Sequence, residues 1–343
     1  MNVPNPWRIT FVTNMDDCNL HCLMCEEHSR LSDRQARRRA QGLPPRRMDF
    51  ALVRRLMDGL ADQPPREIIP STMGEPLLYR HFEELLALCR QRGTRLNLTT
   101  NGTFPGRGAR AWAEAIVPVG SDVKISINGV RPETQATIMP GAPLAEILEN
   151  ARQFIAVRDH VAAAGGNYCS MTFQVTYLET NIDELPDLVR LAAGMGVDRV
   201  KGHHVWTHGF PELERLSLRR DVAAIRHFNR VVEATTRAAR ERLRGDGRPV
   251  KLDNLFALPE GGSQDLAPGG ECPFLGQEAW INWDGRFDPC CAPDEQRRSL
   301  GSFGNIEEVG FTAIWRGEAY RRLCREYASY PLCRSCNMRR PKA

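Results

Sequence analysis

The sequence predicts an α/β protein built on a parallel sheet and followed by a smaller module. Three observations lead to this prediction. Short β-type runs alternate with longer helical stretches through the first two thirds of the 343 residues. Such alternation requires right-handed crossovers between parallel strands, whether the sheet closes into a barrel or stays open. A Gly/Pro-rich stretch over 259–270 then separates this part from a C-terminal region with a hairpin signal of its own.

Six strands are predicted from runs of β-branched, aromatic or alternating residues. They cover 8–13, 67–72, 95–100, 122–127, 168–177 and 199–204. The helical stretches, which carry apolar residues at helical spacing, cover 50–61, 82–92, 144–163, 182–195 and 221–243. Asn181 is the expected N-cap of the helix after the fifth strand, and Glu184 completes a capping box. Because chemistry gathers at the carboxyl ends of parallel strands, functional residues are expected there.

Turn and spacing signals predict the secondary structure of the C-terminal region. Asp284-Gly285 lies between the β-type runs 279–283 and 286–289, which is a strong hairpin signal. A short helix is expected over 318–327. These features divide the chain into a barrel-type part over 1–220, a linking helix and loop over 221–258, and a terminal module over 259–343.

The composition excludes several classes of protein. Four of the 46 basic residues are lysine, so 42 are arginine, and they are interleaved with 42 acidic residues along the whole chain. A nucleic-acid-binding protein concentrates its basic residues on one face, so no nucleic acid partner is expected. No apolar run is long enough to span a membrane, and residues 1–8 lack an apolar signal core. We therefore expect a cytoplasmic protein without a membrane partner.

Cysteine is the most informative residue type. The chain has eleven cysteines, an odd number that a disulfide framework explains poorly in a protein without an export signal. Clustered cysteines in a reducing compartment more often hold metal or perform redox chemistry. They form one group at 18, 22 and 25 and another between 272 and 336, with Cys89 and Cys169 between the two groups.

The first group, Cys18, Cys22 and Cys25, directly follows the first predicted strand. Three thiolates on a short loop can hold three irons of a four-iron cluster and leave the fourth iron open. In catalytic metal sites an open position of this kind is where a substrate binds. The spacing alone also allows a zinc site completed by His21 or His28.

The second group contains four cysteines that the predicted hairpin and the end of the chain can bring together. They are Cys272, Cys290, Cys333 and Cys336. On ligand chemistry alone they fit a structural zinc site with four thiolates. The alternative is a fully ligated four-iron cluster, which would transfer electrons or stabilise the module.

Five segments, in the expected order, resemble the radical S-adenosylmethionine (radical SAM) enzymes. The Cys-x3-Cys-x2-Cys triplet after the first strand resembles the cluster loop of that family. The other segments each lie at or after a predicted strand, and they are Gly74-Glu75-Pro76, Thr99-Thr100-Asn101-Gly102, Ser126 and residues 200–204. Together they cover roughly residues 8–205, which makes coincidence improbable. Met24 departs from the family pattern, in which an aromatic residue usually precedes the third cysteine.

The resemblance implies a fold, cofactors and binding residues. The fold is a partial (β/α)6 TIM-like barrel with a small C-terminal α+β cluster-binding module, similar to the shortened SPASM domain called twitch. The cysteine triplet would hold a [4Fe–4S] cluster whose open iron binds S-adenosylmethionine, and the four C-terminal cysteines would hold one auxiliary [4Fe–4S] cluster. The residues expected to contact S-adenosylmethionine are Gly74, Glu75, Pro76, Thr100, Asn101, Ser126 and Gln174. An external one-electron donor such as flavodoxin or ferredoxin is a further expected partner.

The resemblance also implies a reaction class. Reductive cleavage of S-adenosylmethionine would give a 5′-deoxyadenosyl radical that abstracts a hydrogen atom from the substrate. The preferred substrate is a sugar-like or other small metabolite, oxidised or epimerised with the help of the auxiliary cluster. This preference rests on the single auxiliary cluster and on the lack of a peptide-recognition domain before the first strand. A peptide-modifying enzyme is the alternative, and a non-catalytic zinc or electron-transfer protein is the contrasting class.

Several residues outside these motifs are further candidates. Cys169 lies on the apolar face of the fifth strand, which favours packing against outer helices; if it faced the barrel, it would be a candidate hydrogen donor. His203 and His204 are candidate pocket residues near the end of the sixth strand. Cys291 is either an alternative cluster ligand or a packing residue. The seven arginines of residues 30–47 are expected on a solvated helix, with binding of an anionic substrate as the alternative.

Overall fold

Within residues 4–70, 73–260 and 270–340, which the computed structural model describes, nine strands form one sheet. They are β1 (Arg8–Phe11), β2 (Glu67–Pro70), β3 (Arg95–Thr100), β4 (Gly120–Ser126), β5 (Ser170–Tyr177), β6 (Arg199–His204), β7 (Lys251–Asp253), β8 (Glu278–Ile281) and β9 (Phe287–Asp288). Their order across the sheet is β7-β6-β5-β4-β3-β2-β1-β8-β9. All neighbours from β7 to β8 are parallel, and β9 pairs with β8 in the antiparallel direction. Since β7 and β9 do not pair with each other in the described part of the chain, the barrel stays open.

Helices connect the parallel strands and form most of the C-terminal region. They are α1 (Arg34–Ala40), α2 (Phe50–Gly59), α3 (Phe82–Arg92), α4 (Gly108–Ile116), α5 (Pro132–Ile138), α6 (Leu144–Ala163), α7 (Leu185–Met195), α8 (Pro211–Leu216), α9 (Val222–Glu241), α10 (Asp294–Arg297), α11 (Phe311–Trp315), α12 (Glu318–Glu326) and α13 (Pro331–Arg334). At least one helix follows each of β1 to β6 before the next strand begins. This is the alternation that a parallel sheet with crossover connections requires.

The predicted α/β architecture with six parallel strands is confirmed. β3 and β6 have the predicted bounds, and the other four differ by at most two residues at either end, with the predicted residues 71–72 of β2 lying outside the described residues. The short strand β7 was not predicted, because three residues are too few to show a pattern. The predicted hairpin is confirmed as β8 and β9. Its first strand also pairs in parallel with β1, so the C-terminal region extends the sheet of the barrel.

The predicted capping box before α7 is wrong. The Asn181 side chain donates to the carbonyls of Asn128 (2.9 Å) and Thr176 (3.0 Å) instead of capping the helix. The Glu184 carboxylate accepts from the backbone N–H groups of residues 130–131, at 2.6 and 3.0 Å. Both side chains therefore bind the loop after β4, because that loop carries buried backbone groups that need partners.

The two faces of the strands differ sharply in polarity. On β5, Phe173 and Val175 belong to the hydrophobic core, whereas Thr172 is buried and donates to Asp122 of the neighbouring strand (2.9 Å). Lys124 of β4 is also buried and bonds Asn97 of β3. Alternation along each strand sends the apolar set outward to the helices and the polar set inward. The interior of the open barrel is therefore polar.

The C-terminal region packs beside β1. Phe287, Trp315 and Tyr320 form an aromatic cluster, and the indole N–H of Trp315 donates to the carbonyl of Pro4 (2.9 Å). The predicted boundary near 259–270 falls largely on residues 261–269, which lie outside the described residues, so the domain limits stay a prediction. None of the helices described above has both the length and the apolar character needed to cross a membrane.

Candidate functional site

A cavity of about 260 Å³, which we call the upper cavity, lies at the carboxyl ends of β1 to β6. This is the edge at which a parallel α/β sheet presents its functional groups. Residues expected from the sequence to bind cofactor or substrate line it, and they are Cys18, Cys22, Cys25, Gly74, Glu75, Thr100, Asn101, Ser126 and His203. Pro76 is buried beside them at the start of the short 3₁₀ turn Pro76–Leu78. The fold thus brings together segments that lie far apart in sequence.

The loop after β1 places three free thiols on the wall of the upper cavity. Burial raises the pKa of Cys18 to about 11 and also raises the pKa of Cys22 and Cys25. The negative charge of one thiolate raises the pKa of another, as Cys18 and Cys25 do for Cys22, so the three sulfurs are near neighbours. The backbone N–H of His28 donates to the Cys25 Sγ (3.3 Å), which favours a thiolate there. Metal binding to such thiols releases their protons.

The two histidines that would complete a zinc site each have a ring nitrogen next to a backbone carbonyl. The Nε2 of His28 lies 2.9 Å from the carbonyl of Met15, and the Nδ1 of His21 lies 3.1 Å from the carbonyl of His28. Within residues 4–70, 73–260 and 270–340, no three His, Cys, Asp or Glu side chains stand close enough to share one metal ion. A four-iron cluster distributes its thiolates over several irons, so its ligands do not converge on one point.

Arginines from the segment after the cysteine loop pair with acidic residues that flank it. Arg34 lies 2.7 Å from the carboxylate of Glu26, which is 2% exposed. Arg46 donates to Asp16 (2.9 Å) and also pairs with the buried Glu27. The expectation of a merely solvated arginine-rich helix is wrong for these two side chains. Buried carboxylates require compensating charges, and the two arginines supply them.

Gly74 lets the loop after β2 approach the cysteine loop closely. A Cβ at this position would lie 2.1 Å from the carbonyl oxygen of Asn14 and 2.7 Å from that of Asp17. Both oxygens belong to backbone that is itself held in the loop, so only glycine fits. The Gly74 backbone therefore stays at the edge of the upper cavity next to the thiols.

Glu75 uses its side chain to join two loops. Its carboxylate accepts hydrogen bonds from the hydroxyl of Thr100 (2.8 Å), the backbone N–H of Asn101 (2.8 Å) and the backbone N–H of Leu77 (3.2 Å). Burial raises the pKa of Glu75 to about 7. The carboxylate thus fixes the loop after β2 against the end of β3, which holds the backbone of both at the cavity.

Asn101 and Ser126 differ in their freedom to bind a ligand. The Asn101 amide donates to Asn19 (2.8 Å), and its oxygen accepts from the backbone N–H (3.0 Å) and the hydroxyl (2.7 Å) of Thr103. The Ser126 side chain lines the upper cavity and forms no hydrogen bond among the residues the structure describes. Asn101 therefore shapes the wall, whereas Ser126 keeps a hydroxyl for a bound molecule.

His203 and His204 face opposite sides of β6. His203 lines the upper cavity with its Nε2 3.3 Å from the hydroxyl of Thr176, and burial lowers its pKa to about 4, so its imidazole is neutral near pH 7. His204 packs outside the barrel against Tyr177 and Phe228, with ring centroids 5.4 and 4.7 Å apart. The expectation that His204 lines the pocket is wrong, because consecutive residues on a strand point in opposite directions.

Cys169 and Gln174 also lie outside the upper cavity. Cys169 is fully buried just before β5, at the opposite end of that strand, where its sulfur fills the space next to Gly120. This placement agrees with the packing alternative and does not bring the thiol to the cavity. Gln174 points into the barrel, as expected, but it lines a second cavity below the first.

This second cavity, which we call the lower cavity, has a volume of about 580 Å³ and lies inside the barrel next to the C-terminal region. Thr99 and Cys291 line both cavities, so the two adjoin. Cys291 thus belongs to the C-terminal region but reaches the barrel, where it lines both cavities. The sequence carries no signal for this placement, because it depends on the long-range pairing of β8 with β1.

The four C-terminal cysteines lie close enough together to influence one another's pKa. Burial raises the pKa of Cys290, Cys333 and Cys336, and the charge of Cys272 raises each of them further. The backbone N–H of Cys272 donates to the hydroxyl of Tyr327 (3.3 Å). A half-buried set of four neighbouring thiols has the donor chemistry of a closed cluster or zinc site.

Comparison with protein families gives two matches. The radical SAM superfamily matches residues 14–192, slightly more than half of the chain, and the iron–sulfur cluster-binding domain SPASM matches residues 272–337. The tungsten-containing aldehyde ferredoxin oxidoreductase cofactor-modifying protein of Pyrococcus furiosus is 24% identical over 345 residues, which cover 94% of this chain and 85% of that protein. The PqqA peptide cyclase of Methylorubrum extorquens is 31% identical over 173 residues. That alignment covers 50% of this chain and 41% of the cyclase.

Solved structures share the fold at low sequence identity. Streptococcus suis SuiB bound to the precursor peptide SuiA has a TM-score of 0.64 and 15% identity, over 97% of this chain and 71% of that one. Native anSMEcpe with bound AdoMet has a TM-score of 0.64 and 14% identity, over 96% of this chain and 88% of that one. Both likenesses extend through the barrel and the C-terminal region together.

Proposed function

The chain belongs to the radical SAM superfamily, and from that premise we propose that it modifies a peptide by radical chemistry. The superfamily match and the SPASM match make it an enzyme whose cofactors are an S-adenosylmethionine-binding [4Fe–4S] cluster with an open iron, S-adenosylmethionine itself and an auxiliary [4Fe–4S] cluster. The observation that carries the proposal of a peptide substrate is the 31% identity to a peptide cyclase over 173 residues.

We assign the cluster ligands from the two groups of thiols. Cys18, Cys22 and Cys25 fit the cluster with the open iron, because they are three neighbouring thiols on the wall of the upper cavity. The set Cys272, Cys290, Cys333 and Cys336 fits the auxiliary cluster, since four thiols leave no iron open. This fully ligated cluster would exchange electrons rather than bind substrate.

With its cofactors bound, the enzyme has a 5′-deoxyadenosyl radical available to remove a hydrogen atom from the substrate. The residues of this chain position and shield the reacting groups. Gly74 and Glu75 hold the loop backbone that is expected to meet the methionyl amine, and the hydroxyl of Ser126 is available to the rest of the cofactor. His203, neutral at physiological pH, lines the same cavity, where its imidazole is available to hydrogen-bond a bound substrate. A substrate that fills the lower cavity displaces bulk water from its polar walls.

A small metabolite is the substrate expected from the sequence, but the relatives support the peptide alternative better. The cyclase acts, by its name, on a peptide, and its match covers 50% of this chain. The two cavities support the same proposal, because they share Thr99 and Cys291 in their walls and together suit a substrate larger than a single small metabolite. Whether the substrate radical is cyclised, oxidised or epimerised depends on where its electron goes. We propose that an external donor such as flavodoxin or ferredoxin supplies the electron that starts the reaction.

Deuterium transfer tests the class of substrate without knowledge of its identity. Cells of the source organism are grown in deuterated medium, and their extract is separated into a peptide fraction and a small-metabolite fraction. Each fraction is incubated anaerobically with the reconstituted enzyme, S-adenosylmethionine and reductant. We expect the 5′-deoxyadenosine to gain deuterium from the peptide fraction. Deuterium from the small-metabolite fraction alone would overturn the proposal, and a Cys25→Ala variant controls for transfer that does not depend on the cluster.

A further inference from the structure

The lower cavity contains charged side chains that the assigned chemistry does not use. Its walls come from the inward faces of the strands and from the C-terminal region. Lys124, Lys201 and Arg199 of the barrel line it together with Asp122 and Asp253. Charged groups inside a protein are expensive unless they are paired or serve a ligand. The pairing of each one therefore decides which of them is free to bind.

The carboxylates of this cavity already have cationic partners. Asp122 lies 3.6 Å from Lys124 and 3.5 Å from Arg199, and Asp253 lies 3.6 Å from both Arg199 and Arg340. Lys124 also bonds the side chain of Asn97. Each acid is thus compensated by cationic neighbours, and the charge of Lys201 adds to those that lower the pKa of Asp253.

Another carboxylate on the wall of the lower cavity also has a cationic partner. Glu278 of β8 lies 2.9 Å from the guanidinium of Arg8, which also pairs with Glu67 (2.6 Å) across β1. The arginine thus ties β8 and β2 to β1 from inside the barrel.

Lys201 differs from all of these. Its ammonium group faces the lower cavity, yet it has no hydrogen bond and no carboxylate within 4 Å among residues 4–70, 73–260 and 270–340. Gln174, its register partner on β5, faces the same cavity and forms no side-chain hydrogen bond among those residues. The hydroxyl of Thr10 and the indole N–H of Trp280, both more than nine-tenths buried on the same wall, also have no hydrogen-bond partner there.

The choice of lysine at this position is itself informative. The chain uses arginine for 42 of its 46 basic residues, so a lysine is the exception. Two of its four lysines, Lys124 and Lys201, nevertheless lie inside the barrel. An ammonium is a compact charge that fits a confined space, whereas a guanidinium needs a planar, two-pronged partner. Burial lowers the pKa of Lys201, the charge of Asp253 raises it in part, and a bound anion would raise it further.

We propose that Lys201 binds a carboxylate of the peptide substrate, with the amide of Gln174 as a second donor. This inference rests on the proposed function and specifies in addition that the peptide substrate is negatively charged. A single carboxylate fits better than a phosphate, because the acids of the same wall would repel a second negative charge. Lys201 precedes His203 by two residues on β6, so their Cα atoms lie about 7 Å apart, with Lys201 on the lower cavity and His203 on the upper one. About two extended residues span that distance, so a peptide held by its carboxylate at Lys201 would reach the upper cavity, where the hydrogen atom is removed.

The test compares two peptides that differ only in charge. Acetyl-Gly-Glu-Gly-amide and acetyl-Gly-Gln-Gly-amide are titrated by equilibrium dialysis against the reconstituted enzyme with S-adenosylmethionine. We expect the wild-type enzyme to bind the Glu peptide ~10- to 100-fold more tightly, the range of a hydrogen-bonded charge pair. Lys201→Met should abolish this preference, Lys201→Arg should retain part of it, and Lys251→Met, at an exposed lysine on β7, should leave it unchanged.

Each other outcome overturns the inference. Equal binding of the two peptides by the wild-type enzyme, or a preference that survives Lys201→Met, would show that Lys201 is not the anchor. An increased dissociation constant for S-adenosylmethionine in Lys201→Met, with the Glu preference intact, would assign the lysine to the cofactor instead. Failure of the proposed function is a separate result, since the deuterium would then come from the metabolite fraction whatever the charge preference.

Discussion

Glu75 offers a stability test of the candidate site, because one buried carboxylate accepts three hydrogen bonds. Its Oε1 accepts from the hydroxyl of Thr100 (2.8 Å) and the N–H of Leu77 (3.2 Å), and its Oε2 accepts from the N–H of Asn101 (2.8 Å). Glu75→Gln can keep its oxygen at the Oε1 position and so retain two bonds. Its amide NH₂ then faces the N–H of Asn101, and two donors meet. Glu75→Ala loses all three bonds and leaves a cavity.

The expected losses follow from the number of donors left without a partner. A buried donor without a partner costs roughly 1–3 kcal/mol. Glu75→Gln, with one such donor, should therefore lower the free energy of unfolding by about 2 kcal/mol. Glu75→Ala strands two backbone N–H groups and adds a cavity, so its loss should be on the order of 4 kcal/mol. Urea unfolding of the metal-free chain under anaerobic reducing conditions measures both values.

A matched substitution separates this effect from the mere loss of a charge. Glu114 is exposed on α4, and Glu114→Gln should change the free energy of unfolding by less than about 0.5 kcal/mol. A Glu75→Gln variant as stable as the wild type would refute the hydrogen-bond assignment. So would a Glu75→Ala variant no less stable than Glu75→Gln.

Three further outcomes are expected from the same region. Gly74→Ala should displace the cysteine loop and lower the iron content after reconstitution, because backbone oxygens block the new methyl group; Gly59→Ala, which meets nothing within 4 Å, should reconstitute normally. Arg46→Met leaves two flanking carboxylates without this partner and should cost about 3 kcal/mol in urea unfolding. Burial raises the pKa of Glu75 from 4.5 to about 7, so the folded chain holds this proton more tightly than the unfolded chain. Its contribution to stability should be complete below pH 4.5 and lost as the pH rises through 7, and Glu75→Gln should lack that slope.

The sequence predicts the main features of the site because parallel strands end at one edge. The cysteine triplet, Gly74 and Ser126 each follow or end a strand, and the structure places all of them on the upper cavity. Strand positions were predictable to within two residues because the alternation of strands and helices is regular. The chemistry of three clustered thiols was also visible, since ligand type and spacing are local properties.

Features that depend on contacts between distant segments were not predictable. Cys291 reaches both cavities only because β8 pairs with β1, and no local pattern specifies that pairing. Asn181 forms a convincing capping pattern, yet its amide is used by a loop on the other side of β5. The pair His203 and His204 was predictable in part. Neighbours on a strand face opposite sides, so only one of the pair was able to line a pocket.

The arginine-rich composition hides residues with different roles. Most arginines of the segment after the cysteine loop are exposed, but Arg34 and Arg46 compensate acids around the proposed cluster ligands. A count of charges cannot separate these groups, because their roles depend on which acid each one meets. The reverse holds for Lys201. Lysine is rare in this sequence, and that rarity becomes meaningful only once the structure places Lys201 inside the barrel without a hydrogen bond or a close ion pair among the described residues.

The division of the cysteines into two cluster sites is the central claim, and iron content together with 5′-deoxyadenosine formation tests it most directly. The wild-type chain and a variant with Cys18, Cys22 and Cys25 replaced by Ala are reconstituted anaerobically and incubated with S-adenosylmethionine and reductant. We expect about eight irons per wild-type chain and about four in the variant, with 5′-deoxyadenosine formed by the wild type alone. Two zinc ions and no 5′-deoxyadenosine in the wild type, or 5′-deoxyadenosine from the variant, would contradict the account.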